Sequence, residues 1–233
     1  MAPLAFAMVI LVILVSISIA IALSIESIGV WSRAVGAQIG KSTFGYSLHV
    51  RIATLGRFFT IAAAPALGVL VDMGAEPSIL AACGALTFGA TFLILSFVNS
   101  TNDEWLMAIF LKLFGRDEPK LLRNIGVIEA KKPGQIFSWQ CAFAFSFTAV
   151  GLILVNYFAS IFPDWRSTVV QTTALITTSG TLVHVFLIDP KLARSGDNDP
   201  SLLVGQVKSF IRSRLVASGI ISIIFMLLIF WGK

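Results

Sequence analysis

Long apolar stretches separated by short charged segments make up most of this chain. A helix needs about 20 predominantly apolar residues to cross the hydrocarbon core of a bilayer. Five stretches reach that length, and they predict helices at about 4–24, 78–98, 136–158, 168–187 and 215–231. A sixth stretch, between Arg57 and Asp72, holds only 14 uncharged residues, so it can span the bilayer only if Arg57 is drawn into the membrane. A helix at about 47–71 completes the prediction of six.

The connecting segments are mostly short. The longest is a loop at 99–135, and a stretch within it, 105–114, is too short to span and predicts a helix at the interface. The polar segment at 195–200 predicts a turn, and 201–215 predicts an amphipathic lead into the last helix. The first apolar stretch lacks a positive n-region and is longer than a signal-peptide core, so we expect it to be retained. The pattern predicts one all-α, polytopic transmembrane helical bundle over residues 1–233.

Composition and charge agree with a membrane protein. Hydrophobic residues make up 57% of the chain and charged residues 12%, whereas soluble domains carry about 25% charged residues. Thirteen basic residues, Arg33 and Arg214 among them, fall in the segments after the first, third and fifth helices, and only Arg166 and Lys233 fall on the opposite side. Because positive loops stay cytoplasmic, both termini of this inner-membrane protein are predicted outside and the loop at 99–135 in the cytoplasm. The net charge of +5 borders apolar segments, which argues against a nucleic-acid partner.

No motif for a nucleotide, a zinc ion, a nucleophile elbow or a dinucleotide occurs in the sequence. Cys83 and Cys141 stand alone within apolar runs, which favours packing over a disulfide or a metal site. The two histidines fall on different predicted helices, without an acidic cluster that could serve chemistry on lipid phosphates. We therefore expect no enzymatic activity and no cofactor. Any transport would draw on a gradient, the membrane potential or consumption of the product.

Four ionisable residues, Glu26, Arg33, Arg51 and Arg57, lie in or next to the first two predicted spans. Each charge costs about 2.5–3.5 kcal/mol at the centre of a membrane helix, so such residues usually have a function. Glu26 and Arg33 share a helical face about 10 Å apart along the axis, which suits bracketing of a site rather than direct pairing. The alternative is that the first helix ends near Glu26, leaving both as solvated loop charges and Arg51 reaching the interface. Arg57 lies deeper, which favours a function or a buried ion pair.

An arginine that faces a membrane cavity presents a fixed fork of donors that matches phosphate oxygens. A lipid phosphate or pyrophosphate headgroup is therefore the ligand that we expect at Arg57. Thr173, Thr177, Thr181 and His184 recur at helical spacing along one face of the fifth helix, and hydroxyls of this kind suit a sugar or peptide headgroup. The alternatives are that the threonines bond to their own helix or join helices, and that a neighbouring group satisfies His184.

Three short blocks between Glu26 and Asp72 carry a family resemblance. They read E-[ST]-x5-R-x2-G from Glu26 to Gly36, S-L-x8-R from Ser47 to Arg57, and P-x-L-G from Pro65 to Gly68, followed by Val71-Asp72. In this order and spacing the chain resembles the Amj family of alternate lipid II flippases over about a fifth of its length. Phe58-Phe59 depart from the family pattern, which has polar residues after the second arginine.

The resemblance implies a multi-helix bacterial membrane protein that moves the undecaprenyl-pyrophosphate-linked peptidoglycan precursor, lipid II, from the cytoplasmic to the outer leaflet. It implies a polar cleft, lined by the first, second and fifth helices, in which Arg33 and Arg57 hold the pyrophosphate and the polyprenyl tail stays in lipid. The expected substrate-binding residues are Glu26, Arg33, Arg57, Arg51, His184 and Thr177. Two other classes stay open: a small-solute or ion transporter, and a structural partner of the envelope machinery that transports nothing.

Overall fold

Helices account for nearly all of the chain that the structure describes. This computed structural model describes residues 2–101, 103–114 and 129–231. It is 92% helical, and no strand occurs in those ranges. The helices are α1 (Ala2–Gly29), α2 (Trp31–Gln38), α3 (Ser42–Asp72), α4 (Pro77–Ser100), α5 (Asp103–Phe114), α6 (Gln135–Ile161), α7 (Arg166–Val183), α8 (Asp189–Asn198) and α9 (Pro200–Trp231). A 3₁₀ turn (Pro163–Trp165) precedes α7, and a π-helical turn (His184–Ile188) joins α7 to α8.

Six helical segments of the described chain are long and apolar enough to cross a membrane. They are α1 together with α2, then α3, α4, α6, the helix from α7 through α8, and α9. The prediction of an all-α bundle with six membrane-spanning helices is therefore confirmed. The assignment of both termini to the outer side stays a prediction from the charge distribution.

The last two spans are longer than predicted and meet almost without a loop. The predicted turn at 195–200 is wrong, because α8 continues to the residue before Asp199 and α9 begins at Pro200 rather than near 215. The Asp199 carboxylate caps α9 by accepting bonds from Nζ of Lys131 (2.8 Å), the hydroxyl of Ser201 (2.6 Å) and the N–H of Leu202 (3.2 Å). These bonds, the one from Lys131 foremost, lower the pKa of the Asp199 carboxyl to about 2. Pro200 follows at the first helical position, where its missing N–H costs nothing.

The short helix predicted at 105–114 is present as α5. It packs against α2, and its Leu106 and Phe110 side chains are buried in the same apolar cluster as Trp31. Two apolar side chains of α5 are therefore directed into the protein. The remainder of the predicted loop includes residues 102 and 115–128, which lie outside the described residues.

The fourth helix, α4, lies between α1 and α9, and its small residues permit close packing. A Cβ atom at Gly84 would lie 2.5 Å from Cδ1 of Phe225. The Ser222 hydroxyl of α9 donates to the carbonyl of Ala85 at 3.0 Å, and the Ser16 hydroxyl of α1 lies 3.2 Å from the carbonyl of Cys83. These contacts confirm that the small residues of this helix serve packing.

Helix α7 is largely unburied, and Gly180 is the one buried residue between its two ends. It packs along α6, where Gly180 lies against the carbonyl of Ala144 and Gly151 lies against Thr177. By contrast, α3 packs mainly on α1 and α2, and α7 makes no extensive contact with α3. A gap therefore separates α3 from α7, and this gap positions the candidate site.

Candidate functional site

A cavity of about 670 Å³ occupies the gap between α3 and α7, and α1, α2, α6, the π-helical turn, α8 and α9 supply the rest of its lining. Its volume falls within the range of about 300–1,000 Å³ that is usual for ligand pockets. Five of the six predicted site residues line it: Glu26, Arg33, Arg57, Thr177 and His184. The fold thus brings together predicted residues from both halves of the chain.

The α3 residues that line the cavity follow the helical repeat. They recur at intervals of three and four, as residues on one face of a helix do: Tyr46, His49, Val50, Ala53, Thr54, Arg57, Thr60 and Ile61. Arg51 precedes Arg57 by six residues, which separates the two side chains by about 120° around the helix axis. It is exposed and does not line the cavity. Arg51 therefore does not share the cavity with the other five predicted residues, since the helix turns it away.

Arg57 is the middle residue of the 31-residue helix α3, so about 22 Å of helix extends on either side of it. Its side chain is exposed, and within the described part of the chain it makes no ion pair or hydrogen bond. The adjacent Gly56 lets α3 approach α1, because a Cβ atom there would lie 3.0 Å from the carbonyl oxygen of Ala22. Arg57 thus sits beside the Glu26 end of α1 with its guanidinium donors available to a ligand.

Glu26 forms an ion pair with Arg214 of α9, with Oε1 and Nη2 3.0 Å apart. Arg214 is further held by the Ser27 hydroxyl, 3.1 Å from Nη1, and by the ring of Phe210, whose centroid lies 4.1 Å from the guanidinium carbon. The Arg214 side chain is 4% exposed, whereas that of Glu26 is 34% exposed. Arg214 is therefore a fixed part of the wall, and the Glu26 carboxylate remains partly open to the cavity.

Arg33 pairs with Asp189 rather than with Glu26. Its Nη2 lies 2.6 Å from Oδ1 of Asp189, and its Nε donates to Nδ1 of His49 at 2.8 Å. The ring of Tyr46 lies against the same guanidinium, 4.8 Å from its carbon. The buried Nη1 atom of Arg33 has no hydrogen-bond partner among the described residues. The prediction that Arg33 and Glu26 do not pair directly is confirmed, and the alternative of solvated loop charges is wrong for Arg33.

Arg33, Tyr46 and Asp189 also line a second cavity, of about 400 Å³, formed by the start of α3 and by α8. These three side chains therefore separate the main cavity from a smaller one at the end of the bundle. At the smaller cavity the Ser42 hydroxyl donates to the carbonyl of Gly196 at 3.0 Å, which joins α3 to α8. The Arg33–Asp189 pair thus lies on the wall that the two cavities share.

A π-helical turn positions His184 and Asp189. Pro190 has no N–H, and its ring would clash with the carbonyl four residues earlier in a regular α-helix. The wider turn at His184–Ile188 accommodates Pro190, so the helix continues into α8 instead of ending there. Nε2 of His184 lies 3.5 Å from Oδ1 of Asp189. Asp189 is therefore the neighbour that satisfies both His184 and Arg33.

The threonines of α7 contribute hydroxyl oxygens to the cavity. Thr177 and Thr181 line it, whereas Thr173 does not. The Thr177 hydroxyl donates to the carbonyl of Thr173 at 2.8 Å, and the Thr181 hydroxyl donates to the carbonyl of Thr177 at 2.9 Å. Both hydroxyl protons are thus donated to carbonyls of α7 itself, which agrees with the alternative that the threonines bond to their own helix. Their oxygen lone pairs remain available to accept a bond from a ligand.

The gap between α3 and the helix from α7 through α8 is bridged at both ends. At one end Arg166, the first residue of α7, lies 2.7 Å from Oδ1 of Asp72 and donates to the carbonyl of Val71 at 3.3 Å. At the other end lies the bond between Ser42 and Gly196. Between these bridges the cavity opens sideways, flanked by exposed apolar side chains: Phe58, Ile61, Val185 and Phe186.

Sequence reasoning missed three residues of the site: His49, Asp189 and Arg214. Arg214 was counted as a loop charge, as was Arg33, and both are buried. The helical repeat carried a signal for Arg214, because Phe210, Arg214, Ala217 and Ile221 recur on one buried stripe of α9. If Arg33 and Arg214 are left out, 11 basic residues remain on the predicted inner side and two on the predicted outer side. The predicted orientation is therefore unchanged.

Fold and site together define a class: a multi-pass helical membrane protein with a charged cavity on one side of the bundle, bordered by exposed apolar side chains. Within the described ranges, no group of three or more His, Cys, Asp or Glu residues could hold a metal ion. No protein-family model, curated protein or solved structure matches the chain. The resemblance to the lipid II flippases therefore rests on the three sequence blocks alone. Their charged residues Glu26, Arg33 and Arg57 line the cavity.

Proposed function

We propose that this protein is a flippase for a lipid-linked sugar with a pyrophosphate group, and that its substrate is lipid II, moved from the cytoplasmic to the outer leaflet of a bacterial inner membrane. The observation that carries the proposal is Arg57. Its guanidinium, without a protein partner in the described chain, lies at the middle of a membrane helix and on a cavity open to lipid. A charge in that position has a large cost unless a ligand or water satisfies it.

The charge of the cavity favours an anion. Three guanidinium groups line it, from Arg33, Arg57 and Arg214, against the two carboxylates of Glu26 and Asp189. Both carboxylates are already engaged by Arg33 and Arg214. Arg57 therefore supplies a positive charge that the protein does not compensate. A pyrophosphate matches this group, because the planar guanidinium binds two phosphate oxygens at once.

The sideways opening favours a ligand attached to a lipid. A polyprenyl tail can remain among the exposed apolar side chains of α3 and α7 while its headgroup occupies the cavity. Threonine hydroxyls line the inner surface and match the hydrogen-bonding groups of a sugar: Thr54, Thr60, Thr148, Thr177 and Thr181.

Transfer of the headgroup requires the contacts at the two ends of the gap to open in turn. On the predicted cytoplasmic side, the Arg33–Asp189 pair separates the main cavity from the smaller one. On the predicted outer side, the Arg166–Asp72 pair joins α7 to α3, and both partners are exposed. Exposed pairs of this kind contribute about 0–1 kcal/mol, so the outer pair can open and close at little cost.

A second candidate is a proton-coupled transporter of a small anionic solute. The observation in its favour is the contact between His184 and Asp189 on one wall of the cavity, where Nε2 and Oδ1 lie 3.5 Å apart. Histidine and carboxylate groups carry protons in membrane transporters, whereas Arg33, which links Asp189 to His49, keeps its proton. The two candidates differ in the substrate, because only the flippase requires a lipid tail.

The test is complementation in a bacterium whose other lipid II flippase is depleted. Expression of the wild-type chain should restore growth, and Arg57→Ala should not, because it removes the uncompensated guanidinium. Arg51→Ala is a matched control on the same helix, since Arg51 lies outside the cavity, and it should rescue like the wild type. Membrane levels of each variant are measured by immunoblotting.

Purified protein in liposomes separates the candidates. A fluorescent lipid II whose headgroup is quenched from outside should become accessible faster with the wild type than with Arg57→Ala. Failure of the wild type to rescue or to move lipid II would overturn the lipid II assignment, and equal activity of Arg57→Ala would overturn the role of Arg57. Uptake of a soluble anion driven by a pH gradient, without movement of lipid II, would instead support the small-solute transporter.

A further inference from the structure

Tyr46 contributes its aromatic ring to the lining of both cavities, the main one and the smaller one at the start of α3 and α8. The described lining residues include one other phenyl ring, that of Phe145, which is buried and lies against the guanidinium of Arg214. Tyr46, by contrast, is 48% exposed. Among the described residues, Tyr46 therefore supplies the ring that a ligand in either cavity can reach.

Arg33 holds the ring of Tyr46 in one orientation. Its guanidinium carbon lies over the ring, 4.8 Å from the centroid, and Arg33 is itself fixed by Asp189 at 2.6 Å and by His49 at 2.8 Å. Because one face of the ring is covered in this way, the exposed part of the side chain comprises the opposite face and the edge that carries the hydroxyl. Within the described chain this hydroxyl makes no hydrogen bond. Tyr46 thus offers a ligand a flat apolar surface with a polar group at its edge.

Tyr46 and Arg57 lie on the same face of α3. Tyr46 precedes Arg57 by eleven residues, so the two side chains are only about 20° apart around the helix axis and about 16 Å apart along it. The exposed apolar side chains beside the opening, Phe58 and Ile61, lie at the Arg57 end of this distance. A lipid with its tail beside Phe58 and its pyrophosphate on Arg57 would direct the rest of its headgroup along the cavity towards Tyr46. A pyrophosphate that carries two sugar rings has a comparable length when extended.

Polar side chains accompany the ring of Tyr46 in the smaller cavity. Thr43 precedes Tyr46 by three residues, and side chains at that spacing are neighbours on a helix surface. Thr43 and Asp197 of α8 both line the smaller cavity, and both are exposed. A carboxylate has two oxygens that can accept bonds from hydroxyl groups. An aromatic plane beside a hydroxyl and a carboxylate matches a sugar ring, which has apolar faces of C–H groups and a rim of hydroxyls.

We infer that Tyr46 determines the specificity of the site for a sugar: a sugar ring stacks on the exposed face of Tyr46, and hydroxyls on the rim of that sugar bond to Thr43 and Asp197. This inference rests on the proposed function, because it takes the pyrophosphate of the same ligand to be bound at Arg57. It makes the preferred ligand a glycosylated lipid pyrophosphate and not the bare polyprenyl pyrophosphate. Stacking against an aromatic ring adds about 2- to 10-fold in affinity, so the preference for the glycosylated lipid should be of that size.

The test compares two fluorescent ligands of the purified full chain in detergent: a short-chain polyprenyl pyrophosphate, and the same lipid with a disaccharide of N-acetylglucosamine on its pyrophosphate. The wild type should bind the glycosylated lipid more tightly, and Tyr46→Leu should lose this preference while it still binds the bare lipid. Tyr46→Phe and Tyr46→Trp keep an aromatic ring and should keep the preference. Phe44→Leu, at an exposed aromatic residue of α3 outside both cavities, is the matched control and should bind both lipids like the wild type.

The ratio of the two affinities separates sugar recognition from a structural role. If Tyr46 only supported Arg33, Tyr46→Leu would weaken the binding of both lipids by the same factor, and the inference would be wrong. Equal binding of both lipids by the wild type would also overturn it, without affecting the role of Arg57, whereas binding of neither lipid would overturn the proposed function as well. A photoactivatable group on the disaccharide should crosslink the wild type at residues 43–46, and crosslinks elsewhere would overturn the inference even if Tyr46→Leu does not fold.

Discussion

Glu26→Gln removes the carboxylate charge that balances Arg214 and keeps the size of the side chain. Arg214 is 4% exposed, so its guanidinium would stay in the bundle with the Ser27 hydroxyl, the amide oxygen of the new side chain and the rings of Phe210 and Phe145 as neighbours. Removing one partner of a buried ion pair costs about 3–5 kcal/mol, because the other charge is left uncompensated.

The magnitude should lie at the lower end of that range. Glu26 is 34% exposed to the cavity, so water that enters the cavity screens part of the lost interaction, and we expect a loss of about 3 kcal/mol. For a chain of 150–250 residues, 1 kcal/mol corresponds to about 2–4 °C in Tm. The Tm of Glu26→Gln should therefore fall by about 6–12 °C.

The double variant Glu26→Gln/Arg214→Gln distinguishes an ion pair from two independent effects. It leaves no uncompensated charge, so its Tm should exceed that of Glu26→Gln, with a coupling energy of about 2 kcal/mol. Tryptophan fluorescence of the purified protein in detergent reports the unfolding. Glu76→Gln, at an exposed carboxylate, is the control and should leave the Tm unchanged. Equal Tm values for Glu26→Gln and the wild type, or strictly additive losses in the double variant, would refute the reasoning.

Two further predictions concern packing and the outer contact. Gly84→Ala should lower the free energy of unfolding by about 2 kcal/mol, because its Cβ atom would lie 2.5 Å from the ring of Phe225. Gly68→Ala is the control and should melt like the wild type, since no atom lies within 4 Å of its Cβ position. The same Tm for both variants would contradict the packing. Asp72→Cys combined with Arg166→Cys, joined by a bifunctional methanethiosulfonate that replaces the length of the Arg166 side chain, should lose lipid II movement in liposomes and regain it when reductant cleaves the crosslink. Unchanged movement in the crosslinked protein would show that the outer contact need not open.

The number of membrane spans could be predicted from the sequence, because it depends on the length of each apolar stretch relative to the bilayer. Even the second span, with 14 uncharged residues between Arg57 and Asp72, follows once Arg57 is placed inside it. The helix ends could not be predicted in the same way. Outside the hydrocarbon core, capping and packing decide where a helix begins and ends. Asp199, for example, caps the first turn of α9 by accepting a bond from the N–H of Leu202.

The sequence by itself determined the membrane class, the six spans and the presence of Glu26, Arg33 and Arg57 among them. Only the tertiary structure decided their partners, because the partner of Glu26 is 188 residues away and that of Arg33 is 156 residues away. Arg51 and Arg57 have the same side chain on the same helix. Only Arg57 lines the cavity, because α3 packs on α1 and α2 while α7 packs along α6. That arrangement leaves a gap on the Arg57 side of α3, and no local pattern encodes which helices meet.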